Sequence, residues 1–254
     1  MKIDIVKIDT KKKELCKDSV AEEVFLTIHL DGREFVTLLC SPGNLKELSA
    51  GFLYSSGLIH SPDDIENIVI DTKNMTSHVT LKEKGLSEDV IFKRIYTSGC
   101  GRGMLFYNVL DLAHSKKVAG AMTLQSQKIT ELMKSFDKKS AVFKKTGGVH
   151  SAALSDGERI VSFNEDIGRH NAIDKIIGEA LYNNLNMADL IVLTSGRISS
   201  EVMFKVQKMG SAVIVSRSAP TDLAVKLAKQ WNVTLVGFAR GKRMNVYSAP
   251  ERIV

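Results

Sequence analysis

Leu190-Ile-Val-Leu-Thr-Ser-Gly-Arg-Ile-Ser-Ser200, Ala212-Val-Ile-Val-Ser-Arg-Ser-Ala-Pro-Thr221 and Val233-Thr-Leu-Val-Gly-Phe-Ala-Arg-Gly-Lys-Arg243 set the architecture when read together. Each opens on a short, unbroken apolar run, the pattern of a strand buried on both faces. Helical patterns fill the intervals, over 199–209 with Gly210 closing it and over 221–231. Strands alternating with amphipathic helices predict an α/β unit with a mainly parallel sheet covered on both sides. In such sheets ligands bind outside the carboxyl ends of the strands. Those ends carry Arg197, Arg217 and Arg240, with Lys242 and Arg243 close behind. Two of the three loops run into helix N-termini, where free N–H groups and the helix dipole favour anions. One basic loop would be a solvated surface; three on one edge predict a crevice for a phosphate-bearing ligand, because guanidinium groups match phosphate oxygens. No Walker loop and no Gly-x-Gly-x-x-Gly turn follows a strand, so an ordinary ATP or dinucleotide site is excluded.

Working toward the N-terminus, Ile129, Leu132, Met133 and Phe136 recur at helical spacing. Asp156-Gly157 marks a hairpin between strands near 152–154 and 159–163. A helix is expected over 169–183, with Ile173, Ile176, Ile177, Ala180 and Leu181 as its buried stripe. His150 and His170 stand out beside this helix. A proton-shuttling or orienting role and an ordinary hydrogen-bonded role are both open for them. Cys100, His150 and Asn171 also satisfy the arithmetic of a thiol protease, a pattern that many chains meet.

The first third reads as β-rich. Strands over 23–30 and 33–39 flank Asp31-Gly32, a strong hairpin signal. Asn44 and Glu47 resemble a capping box opening a helix over 45–56 that stops at Gly57. Short strands are expected over 65–71, 77–82 and 90–95, and a helix over 107–117. Small and charged residues over 116–123 give the best boundary, dividing a β-rich N-terminal domain, 1–121, from an α/β domain, 122–254.

Between these parts lies Tyr96-Thr-Ser-Gly-Cys-Gly-Arg-Gly-Met104. Glycines around Cys100 leave its sulfur few neighbouring side chains and allow the backbone unusual conformations. Arg102 favours the thiolate, the reactive form. The pattern reads as an exposed, activated thiol or as a glycine-rich turn that happens to contain Cys.

The chain has 254 residues, 44% hydrophobic and 25% charged, ordinary values for a globular protein. No apolar run approaches the roughly 20 residues of a membrane span, and the N-terminus lacks a signal-peptide core. A cytoplasmic location is expected, without membrane association. Cys16, Cys40 and Cys100 form neither a disulfide framework nor a zinc pattern. A net charge of +6 suggests an anionic partner. Nucleic acid is disfavoured, because aromatics make up only 6% and no basic-aromatic platform appears.

Taken in order, Leu48-Ser-Ala-Gly-Phe-Leu, Ser98-Gly-Cys-Gly, Thr146-Gly-Gly-Val-His-Ser-Ala-Ala, Glu165-Asp-Ile-Gly-Arg-His-Asn-Ala-Ile-Asp-Lys, Thr194-Ser-Gly-Arg-Ile-Ser, Ser216-Arg-Ser-Ala-Pro-Thr and Phe238-Ala-Arg-Gly-Lys-Arg closely resemble the FdhD family, the sulfur carriers that formate dehydrogenase requires. The resemblance implies a sulfurtransferase of the carrier type. It would take sulfur from a cysteine desulfurase as a persulfide on Cys100. It would pass that sulfur to the molybdenum or tungsten bis-pterin guanine dinucleotide cofactor, with guanine nucleotides as mimics. The resemblance places the cofactor's nucleotide against Phe238, Ala239, Arg240, Gly241, Lys242 and Arg243; the strand-end reading adds Arg197 and Arg217, and Arg102, His150 and His170 are candidates for support. It implies a cytidine-deaminase-like three-layer α/β/α second half, formate dehydrogenase as a partner, and is compatible with a homodimer. Two departures bear on mechanism. Many family members have Cys-x-x-Cys in the loop, whereas the second position here is Gly103. The deaminases' His-x-Glu and Pro-Cys-x-x-Cys ligands are also missing, so zinc is not expected. The alternative function is a delivery chaperone that binds the cofactor without handling sulfur.

Overall fold

A computed structural model describes residues 1–10, 12–83, 94–96, 104–106, 117–119 and 122–254. The chain opens with an antiparallel hairpin, β1 (Lys2–Ile8) and β2 (Lys13–Ser19), which the sequence reading did not single out. Next come β3 (Val24–Leu30) and β4 (Arg33–Cys40), joined through Asp31 at φ 49° and Gly32 at φ 80°. This is the left-handed two-residue turn that Asp-Gly forecasts. Helix α1 (Leu45–Ser56) follows, then β5 (Ile65–Asp71) and β6 (Thr76–Leu81). The sheet runs β4-β3-β6-β5, with β3 and β6 parallel. Short strands β7 (Arg94–Tyr96) and β8 (Met104–Phe106) pair antiparallel, with Tyr96 opposite Met104. Residues 90–93, the whole 97–103 segment with Cys100, Arg102 and Gly103, and all but the last residue of the expected 107–117 helix lie outside the described residues.

The second half begins with α2 (Ser126–Lys139) and the short α3 (Ala141–Thr146), followed by β9 (His150–Ser155) and β10 (Ile160–Asp166). Then come α4 (Arg169–Tyr182), β11 (Ile191–Thr194), α5 (Ser200–Met209), β12 (Val213–Ser216), α6 (Asp222–Trp231), β13 (Thr234–Arg240) and β14 (Arg243–Ser248). The sheet order is β10-β9-β11-β12-β13-β14. Parallel pairing is confined to β11, β12 and β13; β9, β10 and β14 join antiparallel. The sheet is therefore mixed, not mainly parallel. Parallel neighbours need crossover helices, and only α5 and α6 supply them here, while hairpins add the rest. Helices cover both faces. Phe163 of β10 packs on Phe136 of α2, whereas its neighbours Ser162 and Asn164 reach Glu179 of α4. Successive strand residues point to opposite faces, so α2 and α4 lie on opposite sides of the sheet.

The two halves share one hydrophobic core, from Leu26 and Leu48 through Ile173 to Val192. Helix α1 lies directly on α4, and each gives a glycine to the crossing. A Cβ on Gly51 would lie 1.8 Å from the Asp174 carbonyl oxygen, and one on Gly178 would lie 1.9 Å from that of Glu47. The helix backbones therefore touch. The capping box expected at Asn44 is not formed. Asn44 sits at φ 55° and makes no cap bond; its side-chain amide donates to Asn164 of β10 instead. A contact between the halves outcompetes the local cap. Among the described residues, no helix is long and apolar enough to cross a membrane.

Candidate functional site

Loops at the carboxyl ends of β11, β12 and β13 are stitched to one another. Ser216 Oγ donates to the Gly196 carbonyl at 2.6 Å, and the Arg217 amide donates to the Thr194 carbonyl at 3.1 Å. The Phe238 amide donates to the Ser218 carbonyl at 3.0 Å, and Arg240 Nε donates to the Arg217 carbonyl at 2.9 Å. Small hydroxyl residues at strand ends make this possible, because their side chains satisfy loop backbone groups that the ladder leaves free. The third loop is the most constrained. β13 bulges between Gly237 and Arg240, with Phe238 at φ 52°. A bulky residue there is uncommon, and bulges concentrate beside functional sites.

A cleft of about 450 Å³ opens at this edge between the strand ends and α2–α3. Ser195, Arg217 and Arg240 contribute from the sheet edge, His150 and Ser151 from the start of β9, and Phe136, Asp137, Ser140 and Phe143 from the helices; Gly147, Gly148, Val149 and Ile167 complete its lining. Arg217 Nη1 lies 2.7 Å from Asp137 Oδ1. Glu165 anchors the start of α3, its two oxygens accepting the Val142 and Phe143 amides at 2.9 Å each. Its carboxylate thus caps α3, not α4, whose start is instead tied down by Asp166 Oδ1 accepting from the Gly168 amide.

His150 Nδ1 is 3.5 Å from Ser195 Oγ. Burial lowers the His150 pKa, and the positive charge of Arg169 and the neighbouring His170 push it down further against Asp166. The ring is neutral near pH 7. His170 lies deeper, with Nε2 2.8 Å from Glu201 Oε2. Burial also lowers the His170 pKa, and Lys205 and Arg169 add to that, while the bond to Glu201 opposes it. Nε2 faces the Glu201 carboxylate at close range.

The cleft's lining includes two of the five cations expected around one crevice. Arg217 and Arg240 line the cleft described above. Lys242 lines a neighbouring one with Lys134 and Met244, and Arg197 and Arg243 are exposed. The cause is local: the β13–β14 turn, with Gly241 at φ 61°, carries Lys242 past the strand end, and Arg243 already begins β14. Phe238 is half-buried and Ala239 buried. Cys100 and Arg102 lie outside the described residues. Of the other thiols, Cys40 is fully buried and its pKa is raised to about 12, mainly by burial with Asp166 adding to it, so it is held as an unreactive thiol. Asp137, Ser195 and Phe143 were not foreseen. Asp137 and Phe143 sit in or beside helical stretches with no motif, and only their position opposite the strand ends reveals them.

The fold and site define a mixed α/β protein with a basic, polar cleft at a sheet edge. Comparison of sequences gives its kinship: the description of the FdhD/NarQ family matches residues 21–254, and the chain belongs to that family. It is 42% identical over 240 residues to the sulfur carrier protein FdhD of Bacillus pumilus strain SAFR-032, covering 94% of this chain and 92% of that protein. The sulfur carrier protein FdhD of Staphylococcus aureus strain MRSA252 is 42% identical over 251 residues, covering 98% and 95%. A crystal structure from Desulfotalea psychrophila, described as a formate dehydrogenase accessory protein, superposes with a TM-score of 0.83 at 26% identity, over 100% of this chain and 99% of that one.

Proposed function

We propose that this chain is a sulfur carrier serving a formate dehydrogenase, with Cys100 as the carrying residue. The observation that supports this most is the near full-length likeness to proteins named as sulfur carriers, joined to the setting of Cys100 among glycines beside Arg102. Cys40 is set aside by its burial. In the first step the Cys100 thiolate attacks the outer sulfur of a cysteine desulfurase persulfide. The donor's S–S bond breaks, the donor cysteine leaves as thiolate, and a new S–S bond leaves the persulfide on Cys100. The acceptor is the molybdenum or tungsten bis-pterin guanine dinucleotide, bound as cargo. Arg217 and Arg240 have the right chemistry for its phosphates, and the loop 238–243 flanks its nucleotide end. Neutral His150, beside Ser195, is suited to accept or relay a proton at the mouth. With Gly103 in the second loop position, a single persulfide carries the sulfur. We place the protein in the cytoplasm.

Intact-protein mass spectrometry after incubation with desulfurase and cysteine tests this. A reducible adduct of one sulfur atom is expected on the wild type and absent from Cys100→Ala. In cells, Cys100→Ala is expected to abolish formate dehydrogenase activity. An undiminished adduct in Cys100→Ala, or full activity in cells with that variant, would end the proposal.

A further inference from the structure

We propose that Asp137 reads the base edge of the nucleotide in the cleft and selects guanine over adenine and hypoxanthine. This rests on the reading above that the cleft takes the cofactor's nucleotide. A cleft that holds a phosphate-bearing ligand through Arg217 and Arg240 should avoid carboxylates, because like charges repel. Yet Asp137 lies in its lining, its side chain 41% exposed, in the last turn of α2. Among the described residues, Oδ1 pairs with Arg217 and Oδ2 has no hydrogen-bond partner. An ionised carboxylate only accepts, so it suits a ligand that brings donors as well as negative charge.

A guanine nucleotide brings both. Its N1–H and N2–H stand side by side and can meet two carboxylate oxygens, or one oxygen jointly, as a charge-assisted pair. Adenine offers one donor beside an acceptor that the carboxylate would repel. Hypoxanthine keeps N1–H and lacks the amino group. The lining also carries an aromatic side chain. Phe143 is 44% exposed at the cleft, and its backbone is fixed by Glu165 at 2.9 Å. An exposed aromatic beside a cationic groove is a stacking platform for a base. Arg240, held by its Nε on the Arg217 carbonyl, remains for the phosphates.

The test is calorimetric titration of the full-length protein with guanosine, inosine, adenosine and xanthosine diphosphates. The wild type is expected to favour guanosine diphosphate by about tenfold or more, the scale of a hydrogen bond to a charged group. Asp137→Asn is expected to lose that preference and to gain xanthosine diphosphate by a similar factor, since the new amide N–H can donate to the C2 carbonyl. Asp137→Ala is expected to bind guanosine and inosine diphosphates alike. Guanosine preference retained in Asp137→Asn, or equal weakening of all four nucleotides, would overturn this assignment and leave the nucleotide reading standing. Failure of the wild type to bind any of the four would overturn both.

Discussion

His170 Nε2 lies 2.8 Å from Glu201 Oε2, which ties the first turn of α4 to the first turn of α5 beside the sheet's carboxyl edge. The pair is assembled from opposing influences. Burial raises the Glu201 pKa, but the bond from His170 and the charges around it, including Arg169 and Lys205, outweigh that and leave it lowered. Burial lowers the His170 pKa despite Glu201. The native site therefore holds a neutral imidazole against a carboxylate.

Acid should loosen this site. The pKa values of His150 and His170 are both lowered in the native state from 6.5, so the unfolded chain binds their protons first. Stability then rises with pH through this range, and the contribution of both residues is present above 6.5 and lost as pH falls below it. The lowered pKa of Glu201 works in the same direction at still lower pH. Urea midpoints measured from pH 7.5 down to 5 are expected to fall, and to fall less in a His150→Gln/His170→Gln variant. Equal slopes in the two proteins would refute this.

Asp166 and Lys175 form the most buried ion pair described, 2.6 Å apart with side-chain exposures of 0% and 1%. Asp166 also accepts from the Ser41 amide and Asn171 Nδ2, and Lys175 donates to the Ser41 carbonyl, so the pair clamps the two halves together. Removing one member strands the other charge away from water, at a cost of about 3–5 kcal/mol. Lys175→Met should show a loss of that order in equilibrium unfolding, with Asp166→Asn similar. A loss below about 1 kcal/mol in both would mean that water or another group compensates.

What the sequence made legible follows from the range of the interactions involved. Asp31-Gly32 and Gly57 are local signals, answered by φ values of 49°, 80° and 81°. The apolar runs ending at Leu193, Val215 and Phe238 became the three parallel strands. The Asn44 cap failed because a residue far along the chain, Asn164, took its side chain. Strand β14 and the β1–β2 hairpin escaped notice because both are largely exposed or half-exposed and neither offers an unbroken apolar run. The site was half legible: Arg217 and Arg240 came from strand ends, while Asp137 enters from a helix whose pattern records only its buried face.

The glycine crossing of α1 and α4 offers a sharper test of how the halves are joined. Neither Gly51 nor Gly178 has positive φ; what forbids a side chain is the opposite backbone. Gly51→Ala must push two helices apart along a shared core. A destabilisation of about 3 kcal/mol or more is expected, at or beyond the upper end of overpacking costs. Gly43→Ala, where a Cβ meets nothing within 4 Å, is the control and should change little. Comparable unfolding midpoints for the two variants would contradict the backbone contact.

Thiol reactivity should discriminate among the cysteines. Cys40 is fully buried and raised to about 12, so the native protein should resist alkylation there at pH 8 and react only once unfolded. Peptide mapping after a timed iodoacetamide pulse reads this directly. Modification of Cys40 at the rate of a free thiol in the native protein would remove the ground for setting it aside as a sulfur carrier.

Phe238 separates backbone strain from ligand contact. At φ 52° an L-residue carries a cost of about 1–2 kcal/mol that glycine escapes. Phe238→Gly and Phe238→Ala both delete the half-buried ring, but only glycine relieves the backbone. The glycine variant should therefore be the more stable of the two, by up to about 1 kcal/mol once its larger unfolded-state entropy is counted. Elsewhere in a strand the order would be reversed. Ligand affinity should follow a different rule. If the ring packs against the nucleotide, both variants lose guanosine diphosphate affinity together, whatever their stability. Urea unfolding and calorimetric titration of the two variants measure these effects independently. An alanine variant more stable than the glycine variant would show that the bulge does not hold Phe238 in the left-handed region. Unaltered affinity in both would move the nucleotide away from this loop.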